Sequence, residues 1–194
     1  MDNPFLRSIF VRPPIVLEQK MKPFSAYHIA ALMLLDSPYC PTNPQPTVTR
    51  QDLAIAAFVC AHGFEDGPDL LFPELHQDEF IKFCDPDANF EIENGAFQSY
   101  VNDYVTVPEL WMPASTGENK SSGIPIPFHV VGVVLQAFQG FTEVQAWDMP
   151  IGRLIGYKCS VAEENGYNVK SQRDYEQIAI KQQIEAAARA ENDG

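Results

Sequence analysis

The sequence predicts a mainly α fold: a single globular helical domain with a flexible loop and a C-terminal amphipathic helix, plus a small β element near the N-terminus. Three observations carry this. Apolar residues recur at helical period in segment after segment, while strictly alternating runs are short. Helix-start signals, Ser/Thr followed three residues on by an acid or Gln, stand ahead of several of those segments. Pro, Gly and Ser collect between them. The chain has 194 residues, 45% hydrophobic and 11% aromatic. A chain of this size removes roughly 70% of its unfolded surface from water in a proper core. The expected division is a helical domain over 1–168, then an amphipathic helix and tail over 169–194.

Residues 1–22 are mildly basic and broken at Pro13–Pro14. A short strand pair is expected around Ile9–Val11 and Ile15–Leu17. The first helix runs from about Ser25, its cap, to Leu35, and Asp36-Ser37-Pro38 stops it. Its apolar residues cover nearly the whole circumference, which puts it at the centre of the fold. The Pro-rich stretch 38–48 is a loop. Thr49 with Asp52 opens a second buried helix, carrying Leu53 to Cys60 and ending near Gly63.

From Gly63 to Gly95 the chain turns acidic, with ten Asp or Glu and a single cation, Lys82. Helices are expected over Glu74–Cys84 and Ala96–Val105, with a turn at Asp85-Pro86-Asp87. Residues 113–127 form a Gly/Ser/Pro loop. Phe128–Phe138 is a further apolar helix.

The segment Thr142–Gly166 is the most informative. Thr142 and Gln145 make a capping box. Asp148 is expected to cap a second helix with Pro150 in its first turn. Ile151, Leu154, Ile155, Val161 and Ala162 give that helix one apolar face, and Gly166 closes it in the left-handed conformation. Trp147, Met149 and Leu154 read first as core residues. The alternative is that short helix, corner and amphipathic helix together dock a partner, with Trp147, Met149, Leu154 and Tyr157 as contacts. Ser171 and Asp174 open a last helix to about Glu191, whose thin stripe is Tyr175, Ile178, Ile184 and Ala188. A stripe so thin suits docking on a partner or sister subunit. Tyr175, Ile178 and Ile184 complete the candidate contacts.

The formal net charge is −13, from 26 acidic and 13 basic residues. That argues against a nucleic-acid or anionic-membrane binder, since both need basic patches. No apolar stretch approaches a membrane span. The four Cys, at 40, 60, 84 and 159, are too far apart for a CxxC pair. With no signal-peptide pattern at MDNPFLRSIF, free thiols and a cytoplasmic location are expected. The sequence shows no HxxxH or CxxC pair, no G-x-S-x-G, no phosphate loop and no complete calcium loop. Asp85-Pro86-Asp87 and Glu91-Ile92-Glu93 read as solvated acidic surface. No catalytic, cofactor or metal site is expected, and the chain reads as non-enzymatic.

Three stretches carry a resemblance. MKPFSAYHIAALMLLDSPY (21–39), TRQDLAIAAFVCAH (49–62) and AWDMPIGRLIGYKCSVAEENG (146–166) resemble segments of tail assembly chaperones of tailed phages and prophages. The third has the Trp-x-x-Pro helix followed by Glu-x-x-Gly. The matching pieces cover about a third of the chain; 63–95 and 113–127 match nothing. The resemblance implies a helical protein of the bacterial host cytoplasm that assists tail morphogenesis. Its implied partner is the tape-measure protein, with the tail tube protein and a second copy of the chain as further partners. A structural virion component, in tail or capsid, is the competing reading. An acidic decoy or inhibitor is the third.

Overall fold

In the computed structural model, residues 11–42, 47–71, 73–105, 110–111, 123–166, 170–171 and 181 are described. The fold is mainly α. Ser25, extended at φ −123° and ψ 177°, starts α1 (Ala26–Leu34). His28 stands where a capping box has an acid, and its Nδ1 accepts the Ser25 backbone N–H at 3.0 Å. Tyr27, His28, Ile29, Ala31 and Leu32 are all buried, so α1 is as central as its sequence implies. It ends where Asp36 turns left-handed at φ 47° and the Ser37 N–H returns to the Leu32 carbonyl at 2.9 Å.

Thr49 and Asp52 cap α2 (Arg50–Ala61) reciprocally, through Asp52 N–H to Thr49 Oγ1 at 3.2 Å and Thr49 N–H to Asp52 Oδ2 at 2.8 Å. Its run from Ala56 to Cys60 is wholly buried.

Ahead of α1, β1 (Ile15–Val16) pairs antiparallel with β2 (Gln19–Lys20). Ile15–Leu17 was expected to hold a strand, but its partner follows the turn; Ile9 and Phe10 lie outside the described residues. The two-residue turn, Leu17 and Glu18, has φ of 50° and 61°. Both are left-handed without a glycine, a conformation that costs roughly 1–2 kcal/mol for each such residue. Leu17 is held there by burial and by its N–H, which donates to Glu93 Oε2 at 2.7 Å.

The acidic segment departs from expectation. In place of one helix over Glu74–Cys84 there are 3₁₀ turns at Phe64–Asp66, Pro68–Leu71 and Pro73–Leu75, a four-residue α3 (Gln77–Phe80), and another 3₁₀ turn at Ile81–Phe83. Prolines at 68 and 73 each begin a turn, the position where a missing N–H is tolerated. The helix expected over Ala96–Val105 begins six residues earlier, as α4 (Phe90–Val105). Asn89 is the missed signal: its Oδ1 accepts the N–H of Glu91 at 3.1 Å and of Ile92 at 3.4 Å. Glu91-Ile92-Glu93 is therefore the first turn of a helix.

After β3 (Leu110–Trp111) come α5 (Ile126–Ala137), α6 (Glu143–Asp148) and α7 (Ile151–Glu164). Thr142 and Gln145 cap α6 as the sequence indicates. Pro150 is the cap residue of α7 and Asp148 does not cap it. Gly166, at φ 83°, closes α7. β4 (Lys170–Ser171) pairs antiparallel with β3, Trp111 opposite Lys170. The boundary expected at 168 is thus followed by a strand tied back to the segment after α4. Ser171 belongs to that strand; of the helix expected from it to Glu191, only residue 181, which is helical, is described, and Tyr175, Ile178, Ile184 and Ala188 lie outside the described residues.

Candidate partner-binding surface

The segments that begin α1, end α2 and join α6 to α7 meet at one junction. Backbone bonds run from Ile151 N–H to the Phe24 carbonyl at 2.9 Å and from Lys22 N–H to the Cys60 carbonyl at 2.8 Å. Ser25 and Pro150 form a β-bridge. Trp147 is 5% exposed, stacked on Phe64 at 5.5 Å and met edge-on by Phe128 at 4.8 Å. Its indole N–H donates to Glu143 Oε1 at 3.4 Å.

Trp147, Met149 and Leu154, considered as partner contacts, are buried in the chain's own core. The reason is the corner at Met149–Pro150, which turns α7 so that Ile151 and Leu154 face inward with α6's Ala146 and Trp147. Tyr157 is half-buried against Phe138 and Phe141 at 5.2 and 5.6 Å, and its hydroxyl accepts from Arg153 at 3.0 Å. It is the described member of the expected set with an accessible edge.

Most polar groups at the junction are paired within it, while the Tyr27 hydroxyl is buried without a hydrogen-bond partner. Asp148 Oδ1 accepts the Phe64 N–H at 2.6 Å, so it caps the 3₁₀ turn after α2 instead of its own neighbour α7. A Cβ on Gly63 would sit 2.7 Å from that oxygen, so a side chain there must displace the Asp148 carboxylate from its bond to Phe64. Asp66 Oδ2 accepts the Gly63 N–H at 2.7 Å and pairs with Lys22 Nζ at 2.8 Å. Burial pushes the Asp66 carboxyl up, but the Lys22 ammonium and the Gly63 N–H outweigh it and hold it below the usual range. Since Nδ1 of His28 accepts from Ser25, its proton is on Nε2, which donates to the His62 carbonyl at 2.7 Å. Complete burial lowers the His28 pKa to about 4.

A second surface is open. A groove of about 300 Å³ runs between the start of α2 and the acidic segment. Leu53 and Ala54 form one wall; Phe80, Phe83, Ala88 and Phe90 form the other. Leu17, from the left-handed turn, closes one end, and Cys84 lies on the rim. Ile81 and Ile92, neighbours of the lining in the chain, are 68% and 66% exposed. Sequence reading missed this surface because it assigned 74–84 to one continuous amphipathic helix, which would have buried its apolar face.

All four thiols are free: Cys40 and Cys60 buried, Cys159 half-buried and Cys84 exposed. Burial raises the pKa of Cys60, Cys84 and Cys159, the opposite of what a reactive thiolate needs. Among the described residues no three His, Cys, Asp or Glu side chains gather as a metal group, and no helix is long and apolar enough to cross a membrane. Comparison with protein-family models, curated proteins and solved structures finds no match to this chain.

Proposed function

We propose that the chain is a non-enzymatic tail assembly chaperone of a tailed phage or prophage, which holds a helical client such as the tape-measure protein during tail morphogenesis. One observation carries this reading. The three stretches that resemble such chaperones lie far apart in the sequence, yet they build one junction, through Lys22 to Cys60 and Phe24 to Ile151. Segments that share a core vary under common constraints, so their joint resemblance is worth more than three separate ones. The charge of −13 suits a protein that keeps an apolar client in solution. An open apolar groove suits a protein that receives helices.

Mass spectrometry of purified particles tests it. A chaperone is absent from the mature particle and raises the soluble fraction of a co-expressed tape-measure protein. Many copies per particle would make the chain a structural component of tail or capsid instead.

A further inference from the structure

We infer that the groove between the start of α2 and the acidic segment is a docking site for a basic amphipathic helix; the inference rests on the chaperone reading only for the identity of the natural client. Its floor is preformed. Leu53 and Phe83 are 1% and 3% exposed, so the surface is held by the core beneath it rather than assembled by a ligand. At about 300 Å³ it is at the small end of ligand sites, with room for the anchoring side chains of one helix. The lining comes from helix and turn side chains, and the β1–β2 hairpin adds only its turn residue Leu17. Among the described residues no strand edge lines it for β-augmentation, so recognition falls to apolar anchors at i, i+3 and i+4.

Charge selects the sign of the partner. The outer wall is built from residues 80–90 of the acidic segment, where Asp85 and Asp87 stand against Lys82; Glu65 and Asp66, at the start of that segment, are paired with Lys22 at the junction. Asp85 lines the groove, and Asp78, Asp87 and Glu91 are exposed on the same segment. Arg50, the cation of the lining, is already engaged. Its guanidinium donates to the Ala88 carbonyl at 2.9 Å and lies 5.7 Å over the Phe90 ring. An acidic helix would meet repulsion along that wall, whereas Lys and Arg flanking apolar anchors would meet attraction.

The test uses the full chain and two labelled synthetic helices, one of Leu and Lys at helical spacing and one with Glu in place of Lys, followed by fluorescence anisotropy at low salt. The Leu/Lys helix should bind, and the Leu/Glu helix should bind at least about tenfold more weakly. Cys84→Trp fills the groove from its exposed rim and should weaken the Leu/Lys helix by about tenfold or more, with the melting temperature unchanged. Ala88→Phe is an independent plug, should the first variant fold poorly. Three results overturn the proposal: neither helix binds the wild type, the Leu/Glu helix binds equally well, or both plugged variants bind as the wild type does. A wild-type dimer that Cys84→Trp dissociates would also overturn it, by assigning the groove to a second copy. Particle composition is unaffected by any of these results, so the two proposals can fail separately.

Discussion

The junction and the acidic segment are both rich in aromatic rings, yet the first buries its central ring, Trp147, and the second leaves an open groove. At the junction Trp147, 5% exposed, is packed between Phe64 and an outer ring, Phe128, that is itself 53% exposed, and helix ends exchange backbone bonds. In the acidic segment Phe58 meets Phe80 and Phe83 edge-on at 5.5 and 5.4 Å, but beside them Leu75 and Ile81 remain 65% and 68% exposed. The difference lies in the backbone. Helices of six residues or more put a continuous stripe against a neighbour, whereas 3₁₀ turns and a four-residue helix place apolar side chains in several directions. Aromatic content alone does not make a core; helix length decides whether the rings face one way.

The comparison can be broken first at its centre. Trp147→Ala should cost roughly 3–5 kcal/mol in urea unfolding, while Ile81→Ser should stay within about 0.5 kcal/mol of wild type. Equal losses would erase the distinction between the two regions.

Acid should attack the junction next. The folded-state pKa of His28 is about 4, below the ordinary value near 6.5. The unfolded chain therefore binds the extra proton first. The stability linked to this ring is complete above the unfolded pKa and is lost as pH falls from about 6.5 toward 4, roughly 3 kcal/mol in all. Melting temperatures of wild type and His28→Gln measured across that window should converge, with the wild type showing the steeper slope.

Gly63→Ala should cost about 1–3 kcal/mol, since its Cβ would meet Asp148. The penalty should shrink in an Asp148→Ala background, where the opposing oxygen is gone; a fully additive pair would contradict the contact.

The smallest effect is a gain. Glu18→Gly should stabilise the β1–β2 turn by up to about 1 kcal/mol, because glycine accepts the left-handed backbone without a Cβ clash. A lower melting temperature would mean that Glu18 contributes something its exposed position does not show.

Much of the helical frame was legible because its signals are local. Ser25, Thr49 and Thr142 cap the helices they precede, and Gly166 ends α7. Asp148 was misread because its acceptor serves Phe64, distant in sequence but close in space. Nothing local distinguishes those two destinations. Asn89 was legible in principle and was masked by the acidic run around it. The groove was not legible at all. It depends on α3 stopping at Phe80 and on Leu17 adopting a backbone that bulky residues avoid. The first reading of Trp147, Met149 and Leu154, as core residues, matches their burial; amphipathic period marks a buried face without saying what buries it.

The Phe24–Ile151 bond has a consequence for how the chain comes off the ribosome. α1 is synthesised early and α2 soon after it, but its other partners, α5 and α6, are among the last described helices to emerge. Closing the junction spans most of the described sequence, so the loop-closure entropy must be met before α1 gains its burial. Until α5 and α6 clear the exit tunnel, the Tyr27–Leu32 face is covered only in part, by α2 and the turn after it. The nascent chain must wait in an unfinished, apolar state, and synthesis, rather than helix formation, sets the time at which the domain first becomes stable.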